Sequence, residues 1–209
     1  DYDLALQSLD RALDIDPQLV SAMSNLGAAY IALNDCEQAI EYLARAIEVD
    51  PLHGVAYSGL SICERRAGDL EAALEDANQG IRLAPDDPQT YNTRGSVYLE
   101  LEDYERAFAD YDRATELNPY FIHAYTNRAI IYQRMGRLAD TIAELQEAIE
   151  LIPEVASPYL ALGDVYFDQG DYSTAAHYYR LYEARINPSY IPADVRERMD
   201  QAYQSTSGT

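Results

Sequence analysis

The sequence predicts an all-α solenoid, a right-handed superhelical array of antiparallel helix pairs that ends in a capping helix. Three observations predict it. Prolines recur every 34 residues, the interval between two prolines holds two apolar-periodic segments, and small residues return at fixed positions of these intervals. A strict period of this length is typical of stacked, near-identical repeats.

The prolines mark the ends of the intervals. Five of them are spaced evenly and a sixth comes one residue late: Pro17, Pro51, Pro85, Pro119, Pro153 and then Pro188. Proline lacks the N–H that a helix needs, and it disfavours the helical conformation in the residue before it. Each proline is therefore expected to follow a helix end, and the late Pro188 predicts that regular stacking stops there.

Each interval is predicted to fold as helix, turn and helix. In the first complete one, 20–33 and 36–49 form amphipathic segments separated by Asn34 and Asp35, and the later breaks contain Gly68, Glu102, Gly136 and Gly170. The predicted boundaries are 1–19 for the second helix of a truncated repeat, then 20–53, 54–87, 88–121, 122–155 and 156–188 for complete repeats, and 189–209 for a capping helix and tail. Because the first segment is half a repeat, we expect the protein to continue upstream.

Small and large residues alternate at the places where helices should touch. The small ones on the first helices are Gly27, Ser61, Gly95, Ala129 and Gly163, and the large ones beside them are Met23, Tyr57, Tyr91, Tyr125 and Tyr159. A small residue at a fixed position lets two helices approach to the close end of the usual 8–10 Å. Most of the 19 tyrosines take such packing positions, which indicates core filling rather than an aromatic binding cage.

This pattern resembles the tetratricopeptide repeat (TPR), which has an aromatic residue, a Leu-Gly pair and a Tyr on its first helix, then an Ala, an aromatic residue and a closing Pro. The matching positions include Met23, Leu26, Gly27, Tyr30, Ala39, Leu43 and Pro51, and again Tyr159, Leu162, Gly163, Tyr166, Ala175 and Tyr179. The second repeat departs most, at Ser61, Glu64, Ala77 and Gly80. The resemblance implies a scaffold whose concave face holds a partner.

Charge excludes two classes of partner. The net charge is −21, from 36 acidic and 15 basic residues, and such a field repels phosphate backbones, so nucleic acid and anionic membrane are not expected to bind. No apolar run reaches the roughly 18 residues of a membrane helix. Every basic residue is Arg, which favours planar, bidentate contacts or reflects a GC-rich genome. With the regular repeats, it suggests a bacterial source.

No residue constellation predicts catalysis, a cofactor or a metal site. His53, His123 and His177 stand in different repeats, and no hydrolase or phosphate-loop motif is present. Cys36 and Cys63 are far apart in sequence without a CxxC motif, which favours two buried small residues over a zinc site or a disulfide framework. Unpaired cysteines suit a reducing compartment, so a cytoplasmic location is predicted, with the periplasm or the cell surface as the alternative.

The expected binding surface is the concave face, because first helices line it in arrays of this kind. Asparagines there can clamp a peptide backbone, and an arginine cluster opposite aspartates would match a mixed-charge segment; the alternative is that these charges only solvate the groove. The predicted partner-binding residues are Ser24, Asn25, Ser58, Ile62, Arg65, Arg66, Asn92, Thr93, Ser96, Leu99, Thr126, Asn127, Ile130, Gln133, Arg134, Asp164, Phe167 and Asp168.

The predicted function is therefore a non-enzymatic protein–protein interaction scaffold that binds a peptide segment or partner protein in this groove. The alternatives are a self-associating structural module and the targeting arm of a larger enzyme lying upstream. The resemblance also excludes one partner. TPR co-chaperones that bind the C-terminal carboxylate of heat-shock proteins use Lys and Asn; Asn127 matches one such Asn, but the chain has no Lys.

Overall fold

The computed structural model describes residues 2–207, which form twelve α-helices and one short 3₁₀ helix and contain no strand. The helices are α1 (Tyr2–Ile15), α2 (Val20–Ala32), α3 (Cys36–Val49), α4 (Gly54–Ala67), α5 (Leu70–Leu83), α6 (Pro88–Glu100), α7 (Tyr104–Leu117), α8 (Ile122–Arg134), α9 (Leu138–Leu151), α10 (Ser157–Asp168), α11 (Tyr172–Glu183) and α12 (Ala193–Ser207), with the 3₁₀ helix at Pro188–Tyr190. The predicted all-α fold is confirmed. None of these helices has the length and apolar character needed to cross a membrane.

The chain divides into two compact units, Asp1–Asn118 and Pro119–Thr209. In unit 1, each helix from α1 to α6 packs against the next helix in the chain, α6 packs against α7, and the first helices α2, α4 and α6 also touch in succession. In unit 2, α8 pairs with α9, α10 pairs with α11, and α12 covers α11. Helix pairs are thus the building block of both units.

The turn inside each helix pair has one residue in the left-handed region. These residues have φ of +61° at Asn34, +84° at Gly68, +58° at Glu102, +70° at Gly136 and +77° at Gly170, the positions where the sequence predicted the breaks. The following aspartate usually caps the second helix; Asp35 Oδ1, for example, accepts the Gln38 N–H at 3.1 Å. Turn and cap together fix where the second helix begins.

Tyrosine hydroxyls tie the first helices to the proline turns. Tyr57, Tyr125 and Tyr159 each donate to the carbonyl of the proline six residues earlier, at 3.3, 3.2 and 3.0 Å. The rings fill the space between helices while the hydroxyls reach a backbone acceptor. Tyr125 and Tyr159 are also buried, which confirms the interpretation of these two tyrosines as packing residues.

Within a repeat, the two helices approach so closely that side-chain sizes must match. Gly95 and Gly163 face the rings of Tyr111 and Tyr179, and a Cβ added at either glycine would lie 2.7 or 2.4 Å from the ring. The fourth repeat instead joins an alanine, Ala129, and a leucine in one buried cluster. Glycine on the first helix is thus paired with tyrosine on the second, whereas the larger alanine is paired with the smaller leucine.

The second repeat replaces this size match with polar contacts. Ser61 is buried and its hydroxyl donates to the Ala73 carbonyl at 2.7 Å, which joins α4 to α5. Gly80 leaves room for Ser58, whose Oγ would lie 2.5 Å from a Cβ at residue 80. Ser61 thus adds a polar contact between the helices, and Gly80 makes room for a buried serine.

The last helix closes the apolar core of unit 2. Val195, Met199 and Ala202 are buried together with Tyr179 and Tyr182 of α11, whereas the opposite face of α12 is polar and exposed. The predicted capping helix is confirmed. It extends to Ser207, and residues 208–209 lie outside the described range.

Glu64 on α4 and Asp76 on α5 form a pair of half-buried carboxyl groups. Burial, followed by the charges of Asp76 and Asp69, raises the pKa of Glu64 from its ordinary 4.5 to about 7. Burial also raises the pKa of Asp76, while its hydrogen bond with Glu64 acts in the opposite direction. Both carboxyl groups therefore bind a proton more strongly than they would in water.

We expect Gly163→Ala to lower the free energy of unfolding by about 2 kcal/mol, because the new methyl group overlaps the Tyr179 ring. Adding Tyr179→Leu imitates the alanine–leucine combination of the fourth repeat. The loss of unfolding free energy in the double variant should therefore be smaller, by at least about 1 kcal/mol, than the sum of the losses in the two single variants. Urea unfolding followed by circular dichroism measures all three variants. Additive losses would contradict the size match.

Glu64 makes stability depend on pH. Between about pH 4.5 and 7 the folded protein keeps a proton that the unfolded chain releases, so the stabilisation is complete below 4.5 and is lost as the pH rises through 7. After allowance for solvent exposure, the loss should be about 1–2 kcal/mol. Urea midpoints at pH 5 and pH 8 measure it. Glu64→Gln should reduce the loss, whereas Glu71→Gln, at an exposed position of α5, should not; equal pH dependence in both variants would exclude Glu64 as the source.

Candidate functional site

Unit 1 contains a groove of about 300 Å³ between α2, α4 and the start of α6. This volume lies at the small end of the range for ligand pockets in proteins. Its lining residues, which define the unit-1 groove, are Ser24, Ala28, Ile31, Leu43, Val55, Ser58, Gly59, Ile62, Asp87 and Gln89. Ser24, Ser58 and Ile62 are among the predicted binding residues.

The floor of the unit-1 groove comes from a second helix. Leu43 of α3 reaches between α2 and α4 because Gly27 and Gly59 leave space; a Cβ there would lie 2.6 or 2.8 Å from the leucine side chain. Val55 on the wall is 45% exposed. The groove therefore offers an accessible apolar surface.

Two serines of the lining keep their hydroxyl oxygens away from solvent. Ser24 and Ser58 are buried, and among the described residues their Oγ atoms have no hydrogen-bond partner. A buried hydroxyl without a partner is costly, and it is stabilised when a ligand or water supplies one. At the rim, Asp87 Oδ1 accepts the Gln89 N–H at 2.9 Å. The groove surface is thus mainly apolar, with the polar residues Asp87 and Gln89 at its rim.

The two arginines of unit 1 that were predicted to bind a partner make contacts with other helices of the protein. Arg65 on α4 forms an ion pair with Glu100 on α6. The Nη1 atom of Arg66 donates to the Ile31 carbonyl of α2 at 2.7 Å. Both guanidinium groups therefore join successive repeats and do not line the unit-1 groove. A role in partner binding for these two and for Arg134, which belongs to unit 2, stays a prediction.

The remaining predicted residues of unit 1 differ in exposure. Asn25 is exposed, whereas Asn92, Thr93 and Leu99 are buried, which corrects the expectation that they would face solvent. Ser96 is half-buried and donates to the Asn92 carbonyl at 2.8 Å. The close packing of α6 against α4 and α7 explains this burial.

Unit 2 contains a second groove, of about 280 Å³. Its lining residues, which define the unit-2 groove, are Thr126, Ala129, Ile130, Gln133, Thr141, Leu145, Ala161, Asp164, Val165, Asp168 and Arg198. Five of the predicted residues are thus brought together. Asn127 and Arg134 lie outside this lining, and Phe167 packs edge-on against Tyr172 at 5.3 Å between ring centroids.

The acidic side of the unit-2 groove is already paired. Asp164 accepts a hydrogen bond from the Tyr179 hydroxyl at 2.8 Å, and its carboxylate lies 3.1 Å from the Arg198 guanidinium of α12. Burial raises the pKa of Asp164, and these two partners oppose that shift. A basic ligand would have to compete with Arg198 there, so the unit-1 groove is the stronger candidate site.

Sequence reasoning missed two kinds of lining residue. Leu43 comes from a second helix, and the only sequence signal for it is the pair of glycines that make room for its side chain. Arg198 comes from the capping helix α12 and pairs with Asp164 of α10. Within residues 2–207, no group of three His, Cys, Asp or Glu side chains could hold a metal ion.

Three solved structures illustrate the similarity of this fold to known proteins. A TPR protein of Thermus thermophilus has a TM-score of 0.78 at 21% identity over 88% of this chain and 99% of that one. PilW, described as a type IV pilus biogenesis factor, has a TM-score of 0.72 at 18% identity over 97% and 91%. PilF of Pseudomonas aeruginosa has a TM-score of 0.68 at 20% identity over 88% of each chain. At these identities the likeness shows the fold alone.

Comparison of the sequence with models of protein families also indicates a tetratricopeptide repeat protein. No curated protein matches significantly. Models described as "Tetratricopeptide repeat" match residues 24–88 and 120–185, and one described as "TPR repeat" matches residues 95–136. Because these matches together cover most of the helix pairs described above, this chain belongs to the tetratricopeptide repeat family.

Proposed function

We propose that this protein is a non-enzymatic scaffold that holds a short apolar segment of another protein in the unit-1 groove. The TPR family supports the general role, protein–protein interaction. The observation that carries the finer proposal is the accessible apolar cavity between α2 and α4, with Asp87 and Gln89 at its rim. Apolar lining with few oriented polar groups is typical of a binding pocket.

The groove suits one anchoring side chain of the partner. A leucine, methionine or phenylalanine side chain can enter a space of about 300 Å³ and contact Leu43 and Ile62. The side-chain amide oxygen of Gln89 at the rim can accept a hydrogen bond from the partner's backbone. Anchor and backbone contacts together would bind a short segment without requiring a large interface.

The charge of the protein indicates which charge the bound segment should carry. The protein has a net charge of −21, Asp87 lies at the groove rim, and Arg65 and Arg66 are occupied by contacts between repeats. An acidic segment would therefore find few cations near this groove. We propose a segment in which basic residues flank the apolar anchor, because opposite charge speeds encounter and fixes orientation.

Filling the groove tests this proposal. Ala28 is exposed on the groove wall, so Ala28→Phe should occupy the cavity without disturbing the core. Peptides are selected from a random phage-displayed library on the wild-type protein and measured by fluorescence anisotropy. We expect Ala28→Phe to weaken their binding at least about ten-fold, a loss of roughly 1.4 kcal/mol.

The matched control is Ala44→Phe, which places the same side chain at an exposed position of α3 away from the groove lining. It should leave affinity unchanged, and circular dichroism should show equal helix content in all three proteins. Selected peptides that bind Ala28→Phe as tightly as wild type would refute the assignment of this groove.

A further inference from the structure

The two cysteines of the chain meet at the interface between successive repeats. Cys36 lies in the first turn of α3 and is half-buried, and Cys63 lies on α4 and is buried. Both are free thiols, and they pack in one apolar cluster. The sequence predicted two buried small residues without a disulfide, and it did not show that the helix packing brings them close together.

The two thiols differ in their surroundings. Burial, followed by a hydrogen bond with Cys36, raises the pKa of the Cys63 thiol to about 12. This shift fits a thiol that stays protonated. Cys63 is 1% exposed, so reagents in solution reach it poorly.

Cys36 is the accessible member of the pair. It is the first residue of α3 after the N-cap, and the Arg66 Nη1 atom lies 4.0 Å from its Sγ. Its half-buried side chain can be reached from solvent more readily than that of Cys63. Arg66 is held in place by its bond to the Ile31 carbonyl.

We propose that Cys36 and Cys63 are an oxidative modification site, at which a hydroperoxide converts the two thiols into an intramolecular disulfide. The Cys36 thiolate attacks the peroxide, so that an S–O bond forms and the O–O bond breaks; hydrogen peroxide thereby yields a sulfenic acid and water. The Cys63 sulfur then attacks the sulfenic sulfur while the Cys63 proton passes to the departing oxygen, so that the S–S bond forms, the S–O bond breaks, and a second water leaves. Two thiols are oxidised by two electrons and one peroxide is reduced to two waters.

The disulfide would connect α3 of one repeat to α4 of the next. These helices carry Leu43 and Ile62, which line the unit-1 groove. Cross-linking would therefore fix the spacing of two groove elements, whatever the groove binds. The proposal goes beyond the scaffold function and does not depend on it.

Peptide mapping of the wild-type protein tests the cross-link. Dilute protein is treated with hydrogen peroxide, remaining thiols are alkylated, and trypsin is added; because the chain has no lysine, cleavage occurs only after Arg and places the two cysteines in peptides 12–45 and 46–65. We expect most molecules to yield these peptides joined, with the summed mass less two hydrogen atoms, and to remain monomeric on a non-reducing gel. Dithiothreitol should separate them. Oxidation of Cys36 to sulfinic acid without the cross-link, or a cross-link only between chains, would overturn the proposal.

Sulfenic acid trapping with dimedone tests the order of attack. With the resolving thiol removed in Cys63→Ala, dimedone should label Cys36, whereas Cys63 in Cys36→Ser should be labelled about ten-fold more slowly because it is buried. Equal rates in two variants of equal helix content would show that Cys36 is not the attacking thiol. The wild-type mapping requires neither variant to fold.

Discussion

The close approach of the two helices in each pair is the constraint on which the rest of the structure depends. Because Gly95 and Gly163 lack a side chain, the rings of Tyr111 and Tyr179 can lie directly against the first helix of their repeats. In such dense packing, a larger side chain on one helix must displace the other helix, since protein interiors have few voids that could absorb the added volume. Once the pair distance is set, the turn residue with positive φ and the aspartate cap determine where the second helix starts.

The unit-1 groove is a consequence of the same small residues. Gly27 and Gly59 admit Leu43 between two first helices, so a core residue becomes the floor of a surface groove. In unit 2 the equivalent space holds a buried leucine together with the paired carboxylate of Asp164. Similar backbones thus present an apolar groove in one unit and a charged one in the other.

Much of the fold could be predicted from the sequence, because period, turn residues and caps are local signals. The five turns fell where Asn34, Glu102 and the glycines indicated them. The partners of charged side chains were harder to predict, because the repeat pattern shows on which face of a helix a residue lies but not which residue it contacts. Arg65 and Arg66 reach across to neighbouring repeats, to Glu100 and Ile31, over about 35 residues of sequence; no periodic signal distinguishes such a contact from a side chain available to a ligand.

Nuclear magnetic resonance on the uniformly labelled protein gives the most direct test that the unit-1 groove is the partner-binding surface. On titration with a selected peptide that carries an apolar anchor, the largest chemical-shift changes should fall on Ser24, Ser58, Ile62 and Gln89, with intermolecular contacts from the anchor side chain to Leu43. Changes confined to the outer surfaces of α3 and α5, or to α12, would contradict binding in this groove.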